Sequence, residues 1–264
     1  MVQQYNVLAP VDAVEMVTPD ICRLTMAAPE IATAAEPGQF VMVRLPGEGQ
    51  DPLLRRPFSI HQVNDTTVQI LLKVVGRVTR QLAALQPGEK IDLLGPLGRG
   101  FRLDPLPAGA CLVGGGIGAA PLRLLARQLG RRLPAEKIVV LLGARNRIEV
   151  TALAETFAEL GCQVQIATDD GSAGHHGLVG DLLTALATPE PMTVYACGPH
   201  PMLAGVAGIC RQKQWRCQVS LETMMACGVA ACLGCAVAPA DPAAGYLHVC
   251  KEGPVFEAGE VSWK

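Results

Sequence analysis

The chain has 264 residues, half of them apolar, and a formal net charge of −2. That length fits two domains plus a small appendage, and the charge offers no basic field to nucleic acid or to an anionic membrane surface. The N-terminal segment has no basic start followed by an apolar stretch, so no secretory signal is read there and a cytoplasmic location is expected.

Over 5–103 the chain reads as strands. Short apolar runs at 40–43, 68–72 and 91–94 alternate with the turn signals Pro37-Gly38, Pro46-Gly47 and Pro87-Gly88. Many short strands with regular turns predict a small antiparallel barrel occupying 1–103, interrupted by one helix at 78–85. From about Ala108 the rhythm becomes strand then helix. Strands are expected at 111–113, 138–142, 164–168 and 193–196. Leu122, Leu125, Ala126 and Leu129 share one helical face, and further helices are expected at 151–160, 179–187 and 201–214. Such alternation predicts a parallel-sheet α/β domain over 104–216 with helices on both faces. The remainder, 217–264, is rich in glycine and cysteine and lacks apolar periodicity. It is expected to need a bound group to hold it together.

Two uncharged stretches, 105–122 and 223–240, are long enough to span a bilayer. The first contains three prolines and five glycines, and the second consists largely of cysteine, glycine and alanine. Both read as backbone packed around a bound group, and no membrane association is expected.

Ten cysteines without an export signal do not read as a disulfide framework. Cys22, Cys111, Cys162, Cys210 and Cys217 are scattered and read as small buried hydrophobes. Cys227, Cys232 and Cys235 form C-x₄-C-x₂-C, and Cys250 follows after fourteen intervening residues. This spacing suits a plant-type [2Fe–2S] cluster, with a tight loop around one side and a distant cysteine closing the other. Gly228, Gly234 and the intervening alanines leave the loop small enough for backbone amides to point at sulfur. A structural Cys₄ zinc site is the competing reading, but zinc favours two separated cysteine pairs.

Further motifs carry chemistry. Arg55-Arg56-Pro57-Phe58-Ser59-Ile60 starts a barrel strand, and Leu71-Leu72-Lys73 and Gly76-Arg77-Val78-Thr79 follow it. Gly114-Gly115-Gly116-Ile117-Gly118 follows a strand and opens a helix, where backbone can approach a dinucleotide phosphate. The next strand ends Leu142-Gly143-Ala144-Arg145, without the acid of the usual Rossmann fingerprint. Ala196-Cys197-Gly198-Pro199 ends a parallel strand, where ligands of such sheets bind. In Thr168-Asp169-Asp170-Gly171-Ser172, either a solvated turn forms or Asp169 or Asp170 holds the ribose hydroxyls, favouring NAD over NADP. Arg145 argues weakly the other way. His175 and His176 have no partner at metal-ligand spacing and read as loop residues.

Arg-Pro-Phe-Ser resembles the flavin-binding strand of the ferredoxin–NADP⁺ reductase superfamily. That resemblance implies Arg56 at the FAD pyrophosphate and Ser59 near the reactive edge of the ring. Pro57 and a stacking Phe58 lie between them, and Leu71, Leu72, Lys73, Gly76, Val78 and Thr79 complete the flavin site. Val78 stands where relatives commonly have glycine. Gly-Gly-Gly-Ile-Gly-x-x-Pro-Leu resembles the nicotinamide domain of the same superfamily. It implies that Gly114, Gly115, Gly116, Gly118, Gly198 and Pro199 bind the nucleotide, with Cys197 beside the hydride path in a positioning role. With the cysteine tail, the whole order resembles the family of electron-transfer subunits of NAD-dependent (type 1B) dihydroorotate dehydrogenase. The resemblance implies FAD, a [2Fe–2S] cluster on Cys227, Cys232, Cys235 and Cys250, and NAD as substrate. It further implies an FMN-containing dihydroorotate dehydrogenase catalytic subunit as partner, two of each subunit, in pyrimidine synthesis. A related reductase subunit serving a sulfide dehydrogenase, a hydrogenase or a ferredoxin:NADP⁺ oxidoreductase is the alternative.

Overall fold

The computed structural model describes residues 3–46, 52–188 and 190–263, so that Gly47 of the predicted Pro46-Gly47 turn lies outside the described residues. The first hundred residues close into a barrel of six strands: β1 (Tyr5–Thr18), β2 (Ile21–Ala27), β3 (Phe40–Arg44), β4 (Arg56–Val63), β5 (Thr67–Lys73) and β6 (Lys90–Leu97). All pairings are antiparallel, in the order β1-β2-β5-β4-β3-β6, and β6 returns to β1. Alternation along the strands sends Cys22, Leu24, Ile60, Ile70, Leu72 and Leu93 into one buried core. Closure leaves no barrel edge to pair with another chain.

Two helices interrupt the barrel. α1 (Pro29–Ala34) has no counterpart in the sequence reading; six residues are too few to show a helical period. The helix expected at 78–85 is α2 (Arg77–Ala83). Thr79 fixes its start: its hydroxyl accepts from the Val75 and Gly76 amides, both at 3.0 Å. That satisfies amide donors a helix start leaves open.

The second domain contains β7 (Ala110–Gly115), α3 (Ala120–Leu129), β8 (Ile138–Ala144), α4 (Arg147–Ala158), β9 (Gln163–Thr168), β10 (His175–His176), α5 (Val179–Ala185), β11 (Thr193–Cys197), α6 (His200–Lys213) and β12 (Arg216–Ser220). The strands from β7 to β12 pair in parallel in the order β10-β9-β8-β7-β11-β12. The chain moves outward from β7 through β8 and β9, then returns to lay β11 on the other side of β7. The strand order therefore reverses between β7 and β11, and a crevice opens at their carboxyl ends.

The cysteine-rich tail, expected to need a bound group, also pairs with this sheet through its own backbone. After the hairpin of β13 (Ala236–Val237) and β14 (Leu247–His248), β15 (Val255–Glu257) pairs antiparallel with β12 and becomes the seventh strand. Leu221 donates to Pro254 at 2.9 Å and Ala258 to Cys217 at 2.8 Å. Val249, Cys235, Cys250 and Phe256 join a core that also contains Phe40 and Leu97 of the barrel. Three residues of edge pairing carry no periodicity, so the sequence could not display this strand. Among the described residues no helix is long and apolar enough to cross a membrane.

Candidate functional site

Strand register assembles the site. Gly114 of β7 lies opposite Cys197 of β11, and Cys197 lies opposite Ser220 of β12. On the other side Gly115 is level with Gly143, and Ala144 with Thr168. The glycine loop, the Cys-Gly-Pro turn, the 168–172 loop and the exit of β12 thus meet along one edge of the sheet. Gly118 makes the closest approach: a Cβ there would stand 2.6 Å from Gly198 Cα and 2.7 Å from the Cys197 carbonyl. Only glycine lets these two turns pack backbone to backbone.

Two cavities open at this edge. The first, about 290 Å³, lies where the barrel meets the sheet. Pro57, Phe58, Ser59, Leu71, Leu72, Lys73 and Thr79 line it, together with Ile117 and the 220–223 segment. Arg56, Gly76 and Val78 are adjacent in sequence to lining residues but do not line it. The two arginines have separated duties. Arg55 Nη2 lies 2.7 Å from Asp92 Oδ1, and Arg44 also pairs with Asp92 at 2.6 Å. Arg56 Nη1 instead donates to the carbonyls of Leu54 and Arg55, at 3.0 and 3.2 Å. Its charge is not spent on a carboxylate of the described residues and suits an anionic group at the cleft rim.

The second cavity, about 710 Å³, follows the sheet edge. Gly115, Gly116, Gly118, Gly198, Pro199 and Asp169 line it as expected. Gly114 does not; a Cβ there would meet Leu142 and Ala119, so it serves helix–strand packing. Asp170 does not line it either. The Ser172 side chain and amide bond its carboxylate and hold it below the usual carboxylate range. Cys197 is fully buried and lines neither cavity. Burial, and secondarily the nearby Glu222 carboxylate, pushes its thiol far up, so it is held as a neutral group.

Lys73, Ile117 and Glu222 line both cavities and mark where they meet. Lys73 Nζ of the barrel lies 2.8 Å from Glu149 Oε1 of α4 and 3.4 Å from Asp20. Arg145 Nε completes the group, 3.5 Å from Glu149 Oε2. Burial raises the Glu222 carboxyl above its usual range. Solvent reaches its surface in the cleft, yet the surrounding protein still disfavours its charge. Sequence reading gave Glu222 and Glu149 no role and named Ile117 only as part of the glycine loop. An acid just past the carboxyl end of a parallel strand was the available signal for Glu222.

The four cysteines of the tail occur as two pairs, Cys227 with Cys232 and Cys235 with Cys250. Cys235 Sγ and Cys250 Sγ are 3.2 Å apart. Cys227 Sγ accepts from the amides of Val229 and Cys232, both at 3.4 Å, and Cys250 Sγ from Ala230 at 3.2 Å. Burial raises the Cys227 thiol, but these amides and the Cys232 side chain outweigh it and bring it down to about 7. Among the described residues no three His, Cys, Asp or Glu side chains gather as around a single metal ion. Two thiol pairs under converging amides fit a two-iron cluster, in which each iron takes two protein ligands. The loop is seated on the barrel: a Cβ at Gly228 would meet Met42 of β3 at 2.5 Å, and Met42 pairs with Pro57.

Comparisons with known proteins give three family matches in succession along the chain. The family described as "Oxidoreductase FAD-binding domain" matches residues 8–101, "Oxidoreductase NAD-binding domain" matches 112–208, and "Iron-sulfur cluster binding domain of dihydroorotate dehydrogenase B" matches 222–262. A dihydroorotate dehydrogenase B (NAD⁺) electron-transfer subunit from Desulforamulus reducens is 41% identical over 261 residues, spanning 97% of this chain and 98% of its own. The corresponding subunit of Geobacillus thermodenitrificans is 43% identical over 242 residues, 90% and 91% of the two chains. Among solved structures, an NADH-dependent reduced ferredoxin–NADP oxidoreductase superposes with a TM-score of 0.83 at 28% identity, covering 97% of this chain and 90% of that one. A ferredoxin–NADP⁺ reductase from Neisseria gonorrhoeae, at 18% identity and a TM-score of 0.64, shares the fold over 78% of this chain and 93% of its own.

Proposed function

The chain belongs to the family of electron-transfer subunits of NAD⁺-dependent dihydroorotate dehydrogenase B, and on that premise we propose which of its residues carry electrons from the dihydroorotate-oxidising subunit to NAD⁺. Bound FAD supplies the conversion between the single electrons of a [2Fe–2S] cluster and the electron pair of nicotinamide. The observation that carries the reading is that the flavin cleft is shared on both sides. Lys73, Ile117 and Glu222 open it to the nucleotide cavity, and Thr223 and Met225 lead from it into the cysteine loop.

In this reading the segments 1–103, 104–216 and 217–264 are the flavin, nucleotide and cluster units. Arg56, with the helix start at Gly76, Val78 and Thr79, holds the FAD pyrophosphate. Phe58 stacks on the ring system, Ser59 stands at its reactive edge, and Pro57, Leu71, Leu72 and Lys73 wall the cleft. Gly115, Gly116 and Gly118 with Gly198 and Pro199 receive the nucleotide, and Gly114 sets the loop against the sheet. Asp169 takes the ribose hydroxyls, with Asp170 fixing the loop through Ser172. Cys197 supports the nicotinamide site from beneath as a neutral thiol and forms no covalent bond to substrate. Cys227, Cys232, Cys235 and Cys250 ligate the cluster.

The partner is taken to be an FMN-containing catalytic subunit, two of each chain forming a cytoplasmic enzyme without membrane attachment. Co-expression with such a subunit tests the function. The pair should reduce NAD⁺ when given dihydroorotate under anaerobic conditions. Dihydroorotate oxidation that never reaches NAD⁺ would contradict it.

A further inference from the structure

The start of α6 follows directly on the Cys197-Gly198 turn and brings Pro199, Pro201 and Met202 to the nucleotide cavity. On the reading above that this cavity takes NAD, the placing of that first turn sets where the nicotinamide rests. A helix start is commonly fixed by a side chain that accepts from one of its open amides. Pro199 stands at the cap position of α6 and makes no such bond. The turn has to be held in another way.

Two side chains hold it, one on each side. Met202 packs on the glycine turns: a Cβ at Gly198 would stand 2.6 Å from Met202 Cε, and one at Gly115 would collide with the Met202 sulfur. His200 lies two positions earlier, so it points to the opposite side of the helix. Its ring meets the ring of Trp263, with centroids 5.3 Å apart and planes inclined at 47°. Trp263 lines neither cavity. It is itself anchored, because its indole Nε1 donates to the Ala258 carbonyl at 2.8 Å. Ser262 donates to Ala238 at 3.0 Å, and Ala240 to Glu260 at 2.9 Å. Residues 238–240 run straight on from Cys235 through β13. The segment that carries the cysteine loop therefore ends against the outer side of the turn that floors the nucleotide cavity.

We infer that Trp263 is a positioning residue for hydride transfer: through His200 it presses the first turn of α6 against the glycine turns and fixes Gly198 and Pro199 at the nicotinamide end of the cavity. It acts through His200 and touches neither nucleotide nor flavin. Without its ring the turn is held from the Met202 side alone. A shift of about 1 Å between reacting groups can slow a reaction by about 100-fold. The inference rests on the NAD reading of the cavity and adds to it the residue that sets the floor.

The test compares Trp263→Ala, Trp263→Phe and Trp215→Ala in the assembled holoenzyme. Trp215 is the chain's other tryptophan and lies past the far end of α6, under Lys213. Anaerobic stopped-flow gives the limiting rate of flavin reduction at saturating NADH, and calorimetry gives the affinity for ADP-ribose, which lacks the nicotinamide. Trp263→Ala should lower the limiting rate at least fivefold and leave ADP-ribose affinity within twofold of the parent. Trp263→Phe keeps a ring against His200 and should recover at least half of the parent rate. Trp215→Ala should lower the melting temperature and leave the limiting rate unchanged. If Trp263→Ala does not fold, His200→Ala removes the other half of the contact at an exposed position and should slow reduction to the same extent. A parent rate in both Trp263→Ala and His200→Ala would overturn the inference. So would slowing that Trp263→Phe does not relieve or that Trp215→Ala shares. A parent enzyme whose flavin NADH does not reduce would overturn the NAD reading itself and this inference with it.

Discussion

Lys73 of the barrel and Glu149 of α4 meet at 2.8 Å across the junction of the two domains, with the Glu149 side chain only 8% exposed. Lys73 lines both cavities where they join, so on the proposed assignment the pair fixes how one ring is presented to the other. Lys73→Met should leave Glu149 dependent on Arg145 alone and destabilise the fold by about 1–3 kcal/mol, the usual cost of a buried charge losing its partner. NADH-driven flavin reduction should slow as well. Glu149→Gln should be milder, because the amide can still accept from Lys73. Thermal melts and anaerobic stopped-flow traces of both variants check this; equal, negligible effects would show that the pair bears no load.

His61 links the same two domains from inside. Its Nδ1 lies 2.8 Å from the Ala120 carbonyl, and burial, followed by Arg123 and Arg23, brings its pKa down to about 4 despite that bond. The unfolded chain therefore binds a proton near pH 6.5 that the folded protein refuses until about pH 4. Stability from this group is complete above pH 6.5 and is lost as pH falls through that window, by up to about 3 kcal/mol. His61→Gln should lose less melting temperature than the parent between pH 7 and pH 4.5. Parallel losses in the two proteins would remove the assignment.

Gly98 welds the barrel to the tail. Its φ is +76°, and a Cβ there would stand 2.5 Å from Pro254 Cδ and 2.6 Å from the Gly253 carbonyl. Next to it Arg99 donates to Gly253 at 2.5 Å. Gly98→Ala combines a left-handed backbone with a clash and should cost about 2–4 kcal/mol. The tail should loosen first, so the iron–sulfur absorbance should be lost at a lower temperature than the flavin is released.

The legible parts of this protein are those written in consecutive residues. The C-x₄-C-x₂-C loop, the Arg-Pro-Phe-Ser strand, the glycine loop and the Cys-Gly-Pro turn each form one local structure, and each was found from its own few residues. The roles of Ile117 and Glu149 became visible only when β5, β7 and α4 were brought side by side, because their meaning lies in distant neighbours. Arg55 and Arg56 show the same limit within one motif: adjacent in sequence, they part ways because Asp92 of β6 claims only the first. The tail strand β15 was hidden because three residues of antiparallel pairing leave no pattern.

The relay itself is tested most directly by Cys235→Ser in the complex with the catalytic subunit. Cys235 is buried, pairs with Cys250 at 3.2 Å and lines neither cavity, so on the proposed assignment the substitution removes a cluster ligand and leaves both nucleotide sites intact. The account predicts loss of the iron–sulfur absorbance and of dihydroorotate-driven NAD⁺ reduction, while anaerobic NADH still bleaches the flavin at the parent's rate. Dihydroorotate-to-NAD⁺ turnover that survives without the cluster, or flavin that NADH no longer reduces, would contradict it.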